Sequence, residues 1–282
     1  MSIRELTSRL SEVYDRGEAR AVLRIVMESA FGLSWTDVLC GAAENLSPEQ
    51  CRRLEETMLR LESGEPVQYV LGEAVFCDRT FHVGPGVLIP RPETELLVRE
   101  CLSGEAEMGK NEPCTVLDIG TGSGCIATTI ALERPHWTVV GWDISDTALR
   151  TAAGNAARLG ADNVTFSKVD ILKEDIGGTR KFDIIVSNPP YICEKERIDM
   201  ESIVTEYEPG EALFVPDDDP LKFYKAITAF ATRSLNNGGK LAFEINRAYY
   251  KEVEELLRKA GFHDIEVKKD QFDNYRTVGG HL

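Results

Sequence analysis

The spacing of hydrophobic residues in the first quarter of the chain follows a helical period. Leu6, Leu10 and Val13 fall on one helical face. Residues 47–50, Ser-Pro-Glu-Gln, are typical of a helix start, with proline at the first helical position. Residues 1–73 are therefore predicted to form an α-helical bundle domain. Such a domain either docks a substrate or serves as a structural cap on the next domain.

Two short β-like runs follow the helical pattern. They lie at 74–76 and 80–83, around Cys77-Asp78-Arg79. Runs of this length on either side of a polar turn predict a β-hairpin. We assign 74–90 as a hairpin linker to a second domain at 91–282.

From residue 114 onward the period changes to that of strands alternating with helices. Strands are predicted at 115–119, 138–142, 164–169, 182–187, 240–245, 263–269 and 275–279, helices at 125–133, 145–159, 221–235 and 248–260, and polar loops at 103–113 and 193–219. This alternation predicts an α/β fold with a seven-stranded, doubly wound sheet. The last two strands are joined by only 270–274, too short for a helical crossover, so the last strand is predicted to be antiparallel.

Composition and charge narrow the class of protein. The 282 residues are 43% hydrophobic, with a net charge of −15 that argues against direct nucleic-acid binding. Seven cysteines without a CxxC pair and four scattered histidines indicate neither a disulfide framework nor a metal site. The first residues lack the apolar core of a signal peptide, and no stretch reaches membrane-spanning length. We expect a cytoplasmic monomer.

A glycine-rich loop follows the first predicted strand. Glycines there let a ligand approach the backbone closely. The spacing is G-x-G-x-G, whereas the dinucleotide fingerprint needs G-x-G-x-x-G, and Asp118 just before the loop would repel a pyrophosphate. S-adenosylmethionine, which carries an ammonium and a sulfonium and no phosphate, fits this loop better. The predicted cofactor residues in it are Gly120, Thr121, Gly122, Ser123 and Gly124.

Acidic residues end the next two predicted strands. Asp143 is placed to accept hydrogen bonds from both ribose hydroxyls of the cofactor, and Asp170 and Ile171 to contact and cover the adenine. Each acid alone could be a solvated strand end or a cap. Because they occur in register with the glycine loop, they predict one cofactor site.

The fourth strand runs into Asn188-Pro189-Pro190-Tyr191. The two prolines have fixed φ and no amide hydrogen, so the strand must stop there. In open α/β sheets this carboxyl end is where ligands bind. Taken alone, the stretch is equally compatible with a proline-rich strand exit capped by asparagine.

Residues 91–282, with the antiparallel last strand, resemble the Class I S-adenosylmethionine-dependent methyltransferases. Within them, Asn-Pro-Pro-Tyr resembles the motif of enzymes that methylate a planar, conjugated amino nitrogen. The resemblance implies that Asn188, Pro189 and Tyr191 are catalytic, that Pro190 joins them in binding substrate, and that Asn188 also contacts the cofactor. Hydrogen bonds to the Asn188 side-chain oxygen and the Pro189 carbonyl would favour localisation of the nitrogen lone pair, while Tyr191 packs on the planar face.

Four motifs extend the resemblance to the whole chain. Ile89-Pro-Arg-Pro-Glu-Thr-Glu95, Asp118-Ile-Gly-Thr-Gly-Ser-Gly-Cys-Ile-Ala127, the Asn-Pro-Pro-Tyr stretch and Glu206-Tyr-Glu-Pro209 occur in that order, with Gln68-Tyr69 before them. Together with the helical front domain they resemble the HemK family. This resemblance implies N5-methylation of the glutamine in the Gly-Gly-Gln motif of class-1 peptide chain release factors. Asn246 departs from the family pattern, in which glycine is expected.

Three alternatives stay open on the residues themselves. An adenine-N6 or guanine-N2 nucleic acid methyltransferase would use the same Asn-Pro-Pro-Tyr motif, but the net charge of this chain argues against nucleic-acid binding. A regulatory module that binds S-adenosylmethionine without turnover would not need Asn-Pro-Pro-Tyr. A nicotinamide oxidoreductase is disfavoured by the glycine spacing.

Overall fold

The computed structural model describes residues 2–103, 112–173 and 181–282. Contacts between residues divide the chain into two compact units. The helical unit comprises Met1–Glu73 with Met200–Tyr207, and the sheet unit comprises Ala74–Asp199 with Glu208–Leu282. The polar stretch predicted as one loop at 193–219 is therefore shared between the units. Most of the loop predicted at 103–113 lies outside the described residues.

The helical unit is built from short amphipathic helices. They are α1 (Ile3–Leu10), α2 (Arg16–Phe31), α3 (Trp35–Leu39), α4 (Pro48–Glu62) and α5 (Val67–Leu71), with a 3-10 helix at Ala42–Asn45. Helix α4 begins where the sequence predicts, with a capping box in which Ser47 and Gln50 bond each other's backbone amides. Helix α1 ends at Leu10, so Val13 lies beyond it and is exposed, unlike the buried Leu6 and Leu10.

The segment Met200–Tyr207 completes the helical unit. It contains a short helix, Ser202–Tyr207, whose Ile203 packs against the buried core of the bundle. The Tyr207 hydroxyl donates to the Ser63 carbonyl at 2.8 Å. A segment distant in sequence thus joins the end of α4 through apolar packing and a hydrogen bond.

The sheet unit alternates strands and helices. Its strands are β1 (Glu73–Phe76), β2 (Arg79–His82), β3 (Thr115–Ile119), β4 (Thr138–Asp143), β5 (Val164–Lys168), β6 (Phe182–Ser187), β7 (Ile192–Cys193), β8 (Phe214–Val215), β9 (Leu235–Glu244), β10 (His263–Lys269) and β11 (Tyr275–His281). Its α-helices are α6 (Glu95–Leu102), α7 (Cys125–Glu133), α8 (Asp146–Leu159), α9 (Lys222–Ser234) and α10 (Tyr250–Lys259). Single-turn 3-10 helices lie at Pro92–Thr94, Gly210–Ala212 and Arg247–Tyr249, and a longer one at Glu194–Asp199.

Seven strands form the main sheet, in the order β10-β11-β9-β6-β3-β4-β5. The pairs β9-β6, β6-β3, β3-β4 and β4-β5 are parallel. Strand β11 runs antiparallel to both β9 and β10, between which it is inserted. This topology confirms the predicted fold class. The last strand is antiparallel because the short connection at 270–274 can only reverse the chain.

Both faces of the central strands are buried, with neighbouring strand residues in separate cores. Val116 packs in the cluster with α6 and α7, whereas Leu117 packs in the cluster with α9 and α10. Adjacent strand residues point to opposite faces, so a strand covered on both sides is apolar throughout. This accounts for the adjacent apolar residues Val116 and Leu117 in β3.

Two strand boundaries differ from the prediction by two or more residues. Strand β9 already begins at Leu235, which pairs with Phe182, and a register irregularity follows before Lys240 pairs with Ile184. Residues 236–239, between the predicted helix at 221–235 and the predicted strand at 240–245, are absorbed into the strand as this irregularity, and Gly238 supplies its positive φ of 76°. Strand β11 extends to His281.

Strands β1 and β2 form the predicted hairpin. Its two turn residues, Cys77 and Asp78, both have positive φ, at 48° and 58°. Positive φ at both central positions is the turn geometry that matches the twist of a two-residue hairpin. The His82 backbone exchanges hydrogen bonds with the Asn155 side chain at 2.7 and 2.9 Å, which ties the hairpin to α8. Within the described residues, no helix has the length and apolar character needed to cross a membrane.

Candidate active site

The carboxyl ends of four neighbouring strands meet at one edge of the sheet. The register pairs Ile119 with Ser187 on one side and with Trp142 on the other, and Asp143 with Lys168. The segments that follow these strands therefore surround a common cavity, of about 260 Å³. Of the residues predicted as the site, Gly120, Thr121, Gly122, Ser123, Asp143, Asp170, Ile171, Asn188, Pro189 and Pro190 line this cavity.

The glycine loop is held against β4 and α8. The amides of Gly120 and Thr121 both donate to the Trp142 carbonyl, at 2.8 and 2.9 Å. Gly124, with a φ of 77°, does not line the cavity. A Cβ at position 124 would lie 2.8 Å from the Ala152 Cβ, so this glycine permits close packing of the loop on α8.

Asp118 points away from the cavity. Its side chain is fully buried and accepts a hydrogen bond from the Thr121 hydroxyl at 2.6 Å. Burial raises its pKa from 3.8 to about 7, against the opposing effect of the Thr121 bond. Asp118 therefore stabilises the glycine loop from the side opposite the cavity, and its carboxyl group does not line the cavity.

Asp143 both supports the loop and faces the cavity. One carboxylate oxygen accepts from the Gly122 amide and the other from the Ser145 amide, each at 2.9 Å. A carboxylate oxygen has two acceptor sites, so two backbone bonds leave capacity for two hydroxyl donors. The geometry suits the predicted ribose contact.

Asp170 follows the neighbouring strand β5 at the same edge of the sheet. Its side chain accepts from the Leu172 amide at 3.1 Å, which closes a local turn. Ile171 lies beside it in the cavity wall and packs against the core of the sheet. The pair thus presents a carboxylate and an apolar surface together, as expected of residues that contact and cover an adenine ring.

The Asn-Pro-Pro-Tyr stretch divides between the cavity wall and the interior. Asn188, Pro189 and Pro190 line the cavity, and Tyr191 is outside its lining. The Tyr191 hydroxyl instead donates to the buried Glu244 carboxylate at 3.0 Å. Burial raises the Tyr191 pKa well above its ordinary value, and the nearby Glu244 charge raises it further.

The segment 86–91, predicted as linker and motif residues and not as part of the site, forms another wall of the cavity. Glu208, almost completely buried, holds this wall in place. It accepts from the Ile89 amide at 3.0 Å and pairs with the Arg91 guanidinium. Two of the motifs that carry the resemblance, at 89–95 and 206–209, could have indicated this wall, because each contains one partner of the Arg91–Glu208 pair.

Asn246 has an ordinary backbone conformation, with φ at −67°. Its side-chain oxygen accepts from the Ala248 amide at 3.0 Å, and its amide nitrogen donates to the Tyr191 carbonyl at 3.2 Å. Glu196 accepts a further bond from the same nitrogen. The position does not require glycine, and Asn246 braces the backbone of the Asn-Pro-Pro-Tyr stretch.

The charges around the cavity suit a cationic ligand. Among its described lining residues, Asp143, Asp170 and Glu211 carry acid groups and Arg91 is the base, already paired with Glu208. A phosphate would lack cationic partners here, whereas the ammonium and sulfonium of S-adenosylmethionine would not. Within the described residues, no group of three or more His, Cys, Asp or Glu side chains is arranged to hold a metal ion.

Comparisons with known proteins agree with this geometry. A family model described as a methyltransferase domain matches residues 110–271, and one described as the PrmC N-terminal domain matches residues 2–72. The release factor glutamine methyltransferase of Bacteroides thetaiotaomicron is 42% identical over 270 residues, or 95% of each chain. The protein of that name from Bacillus subtilis is 39% identical over 93% of this chain and 91% of its own length.

A solved structure gives an independent comparison of the fold. A methyltransferase from Pyrococcus furiosus aligns with a TM-score of 0.52 and 17% identity, over 84% of this chain and 98% of its own. At this identity the likeness concerns the fold alone. Identity of 39–42% over nearly the whole length of the curated relatives, however, shows the family. The chain belongs to the release factor glutamine methyltransferases.

Proposed function

We propose that this enzyme methylates N5 of the glutamine in the Gly-Gly-Gln motif of class-1 peptide chain release factors, with Asn188 and Pro189 as the groups that bind the reacting amide. The observation that carries the proposal is the position of Asn188-Pro189 in the wall of the same cavity as the glycine loop and Asp143. S-adenosylmethionine is the methyl donor, and its sulfonium supplies a methyl group activated for transfer. The names of the curated relatives support the substrate.

The residues proposed to hold the cofactor include both polar or acidic groups and apolar groups. Backbone and hydroxyl groups of the loop at 120–123 would hold the amino acid portion, Asp143 would accept from the ribose hydroxyls, and Asp170 with Ile171 would contact the adenine, since all of them line the cavity. Acids at these positions favour a cation over a phosphate. Apolar residues of the wall, including the buried Val87 and Ile126, keep water from the rest of the site.

The substrate nitrogen presents the chemical difficulty, because its lone pair is delocalised into the amide. Hydrogen bonds from its NH₂ group to the Asn188 side-chain oxygen and the Pro189 carbonyl strengthen as the nitrogen becomes pyramidal. An interaction that is stronger in the transition state lowers the barrier to attack. The proton is lost after methyl transfer, when the nitrogen is strongly acidic, so no general base with a tuned pKa is needed for attack.

The Asn188→Ala variant tests this mechanism. We expect kcat to fall by about 10²–10³, the size of effect seen on removal of one preorganised polar contact, with little change in KM. Single-turnover transfer of labelled methyl groups to purified release factor measures the rate, and thermal melting of the same preparation measures folding. A folded variant with a near wild-type single-turnover rate would exclude a catalytic role for Asn188.

The proposed function also implies a protein partner and a cellular location for the enzyme. We infer that residues 1–73 dock the release factor, that the enzyme is a monomer without direct nucleic-acid binding, and that it acts in the cytoplasm with its translation-factor substrate. The net charge of −15 supports the absence of nucleic-acid binding. Methyl transfer to release factor but not to DNA or RNA, together with a monomeric mass by light scattering, is the expected result. Transfer to nucleic acid would instead favour an adenine-N6 or guanine-N2 enzyme.

A further inference from the structure

A buried carboxylate lies behind the cavity and connects two residues of the Asn-Pro-Pro-Tyr stretch. Glu244, the last residue of β9, has only 1% of its surface exposed. One of its oxygens accepts from the Thr94 hydroxyl at 2.6 Å, and the other accepts from the Tyr191 hydroxyl at 3.0 Å. The Asn188 side-chain NH₂ donates to the same Thr94 hydroxyl at 3.3 Å. We call Glu244, Thr94, Asn188 and Tyr191 the Glu244 network.

The fold brings these residues together from three elements. Strands β6 and β9 are parallel neighbours, with Ser187 paired to Phe243, so the residues that follow them lie side by side. Thr94 ends the 3-10 helix Pro92–Thr94 and is 3% exposed. Burial raises the pKa of Glu244, while the bonds from the Thr94 and Tyr191 hydroxyls lower it. The two hydroxyls thus compensate the carboxylate for the hydration it loses.

The hydrogen-bond directions in the network follow from the number of protons. A threonine hydroxyl has one proton to donate. In Thr94 that proton is directed to Glu244, so the hydroxyl can only accept from Asn188. Asn188 must then turn its NH₂ group to Thr94. Its carbonyl oxygen is the end that remains for the cavity, which Asn188 lines.

We propose that Thr94 and Glu244 are positioning residues that fix the orientation of the Asn188 amide, so that the cavity presents an acceptor and selects substrates with an NH₂ group. This inference rests on the proposed function, in which the Asn188 oxygen accepts from the substrate amide. Without the Thr94 hydroxyl, the Asn188 amide can turn over and present its NH₂ to the substrate NH₂. Two donors then face each other, and the bond that strengthens in the transition state is lost.

The test compares Thr94→Val, which is nearly isosteric but lacks the hydroxyl, with Thr94→Ser, which retains it. Purified release factor and labelled S-adenosylmethionine are the substrates. We expect Thr94→Val to lower kcat about tenfold and to change KM less than about twofold, since only a contact strengthened in the transition state is affected. Thr94→Ser should restore kcat to within about twofold of wild type.

Thr277→Val is the matched control for stability. The buried Thr277 hydroxyl donates to the buried Glu100 carboxylate at 2.7 Å, the same chemistry as in the Thr94–Glu244 bond. It has no hydrogen bond to Asn188 among those of the described residues. We expect Thr277→Val to lower the melting temperature as Thr94→Val does, and to leave kcat unchanged.

A double variant shows whether Thr94 acts through Asn188. In the Asn188→Ala background, Thr94→Val should change kcat by less than about twofold, because the amide that it orients is absent. A further tenfold loss there, or a wild-type kcat in Thr94→Val alone, would overturn the inference. If Thr94→Val does not fold, Glu244→Met decides, since it has a similar shape but no carboxylate to accept the Thr94 proton, which can then turn towards Asn188. A wild-type kcat in that variant overturns the inference equally.

These outcomes are separable from failure of the proposed function. If the wild-type enzyme does not methylate release factor, or if folded Asn188→Ala retains its single-turnover rate, the proposed function or its mechanism fails. If both of those results are as expected and Thr94→Val alone matches wild type, only the positioning role of the Glu244 network is wrong.

Discussion

Because the Asp118 carboxyl group is buried, we expect it to make the stability of the enzyme depend on pH. The isosteric substitution Asp118→Asn isolates this effect. The pKa of the Asp118 carboxyl group is raised from 3.8 to about 7 by burial. In the unfolded chain the group ionises near pH 4, whereas in the folded enzyme it keeps its proton until near neutrality. Between these values the folded state binds more protons than the unfolded state, so this group lowers stability as pH rises.

The size of the effect follows from the two pKa values. Each unit of pKa corresponds to about 1.4 kcal/mol, so a rise from 3.8 to about 7 amounts to about 4 kcal/mol at and above neutral pH. Asp118→Asn keeps the shape and an acceptor for Thr121 but does not ionise. Its free energy of unfolding, minus that of the wild type, should therefore increase by about 4 kcal/mol between about pH 4 and about pH 7, and then level off.

Urea denaturation of both proteins without cofactor, over the range of about pH 4 to about pH 8, measures this difference. The pH-independent cost of the substitution is present at every pH and does not affect the slope. Asp146→Asn is the control, because Asp146 is exposed and its pKa is lowered by the hydrogen bond from Lys168, so the group stays ionised over most of this range. The difference between Asp146→Asn and wild type should therefore change little with pH. A constant difference between Asp118→Asn and wild type across the range would show that burial does not raise the Asp118 pKa.

Three further changes test the cofactor site and the helical unit. Asp143→Ala should weaken S-adenosylmethionine binding by about 1.5–3 kcal/mol, measured by calorimetry, and unchanged affinity would exclude the ribose contact. Gly124→Ala should destabilise the enzyme by about 1–3 kcal/mol, because its Cβ would lie 2.8 Å from the Ala152 Cβ, and Ala152→Gly in the same chain should recover part of the loss. Removal of residues 1–73 should leave cofactor binding nearly intact and raise the KM for release factor. An unchanged KM would mean that these residues are only a cap.

The sequence by itself determined the fold class and the edge of the sheet at which the cavity lies. Alternating apolar runs and helical periods report strands and helices directly, and the five residues at 270–274 require an antiparallel last strand. The glycine loop and the polar residues after β4, β5 and β6 could be placed together because the carboxyl ends of parallel strands share one edge. Their placement around one cavity could therefore be predicted without knowledge of tertiary contacts.

Only the tertiary structure decided which partner each side chain has. Thr94 and Glu244 are 150 residues apart, and Ile89 and Glu208 are 119 apart, so no local pattern relates them. Asp118 lies beside the glycine loop in sequence, yet its side chain turns into the core behind it. Strand register and the alternation of side chains between two faces set these directions, and both are fixed only when the sheet and its covering helices assemble.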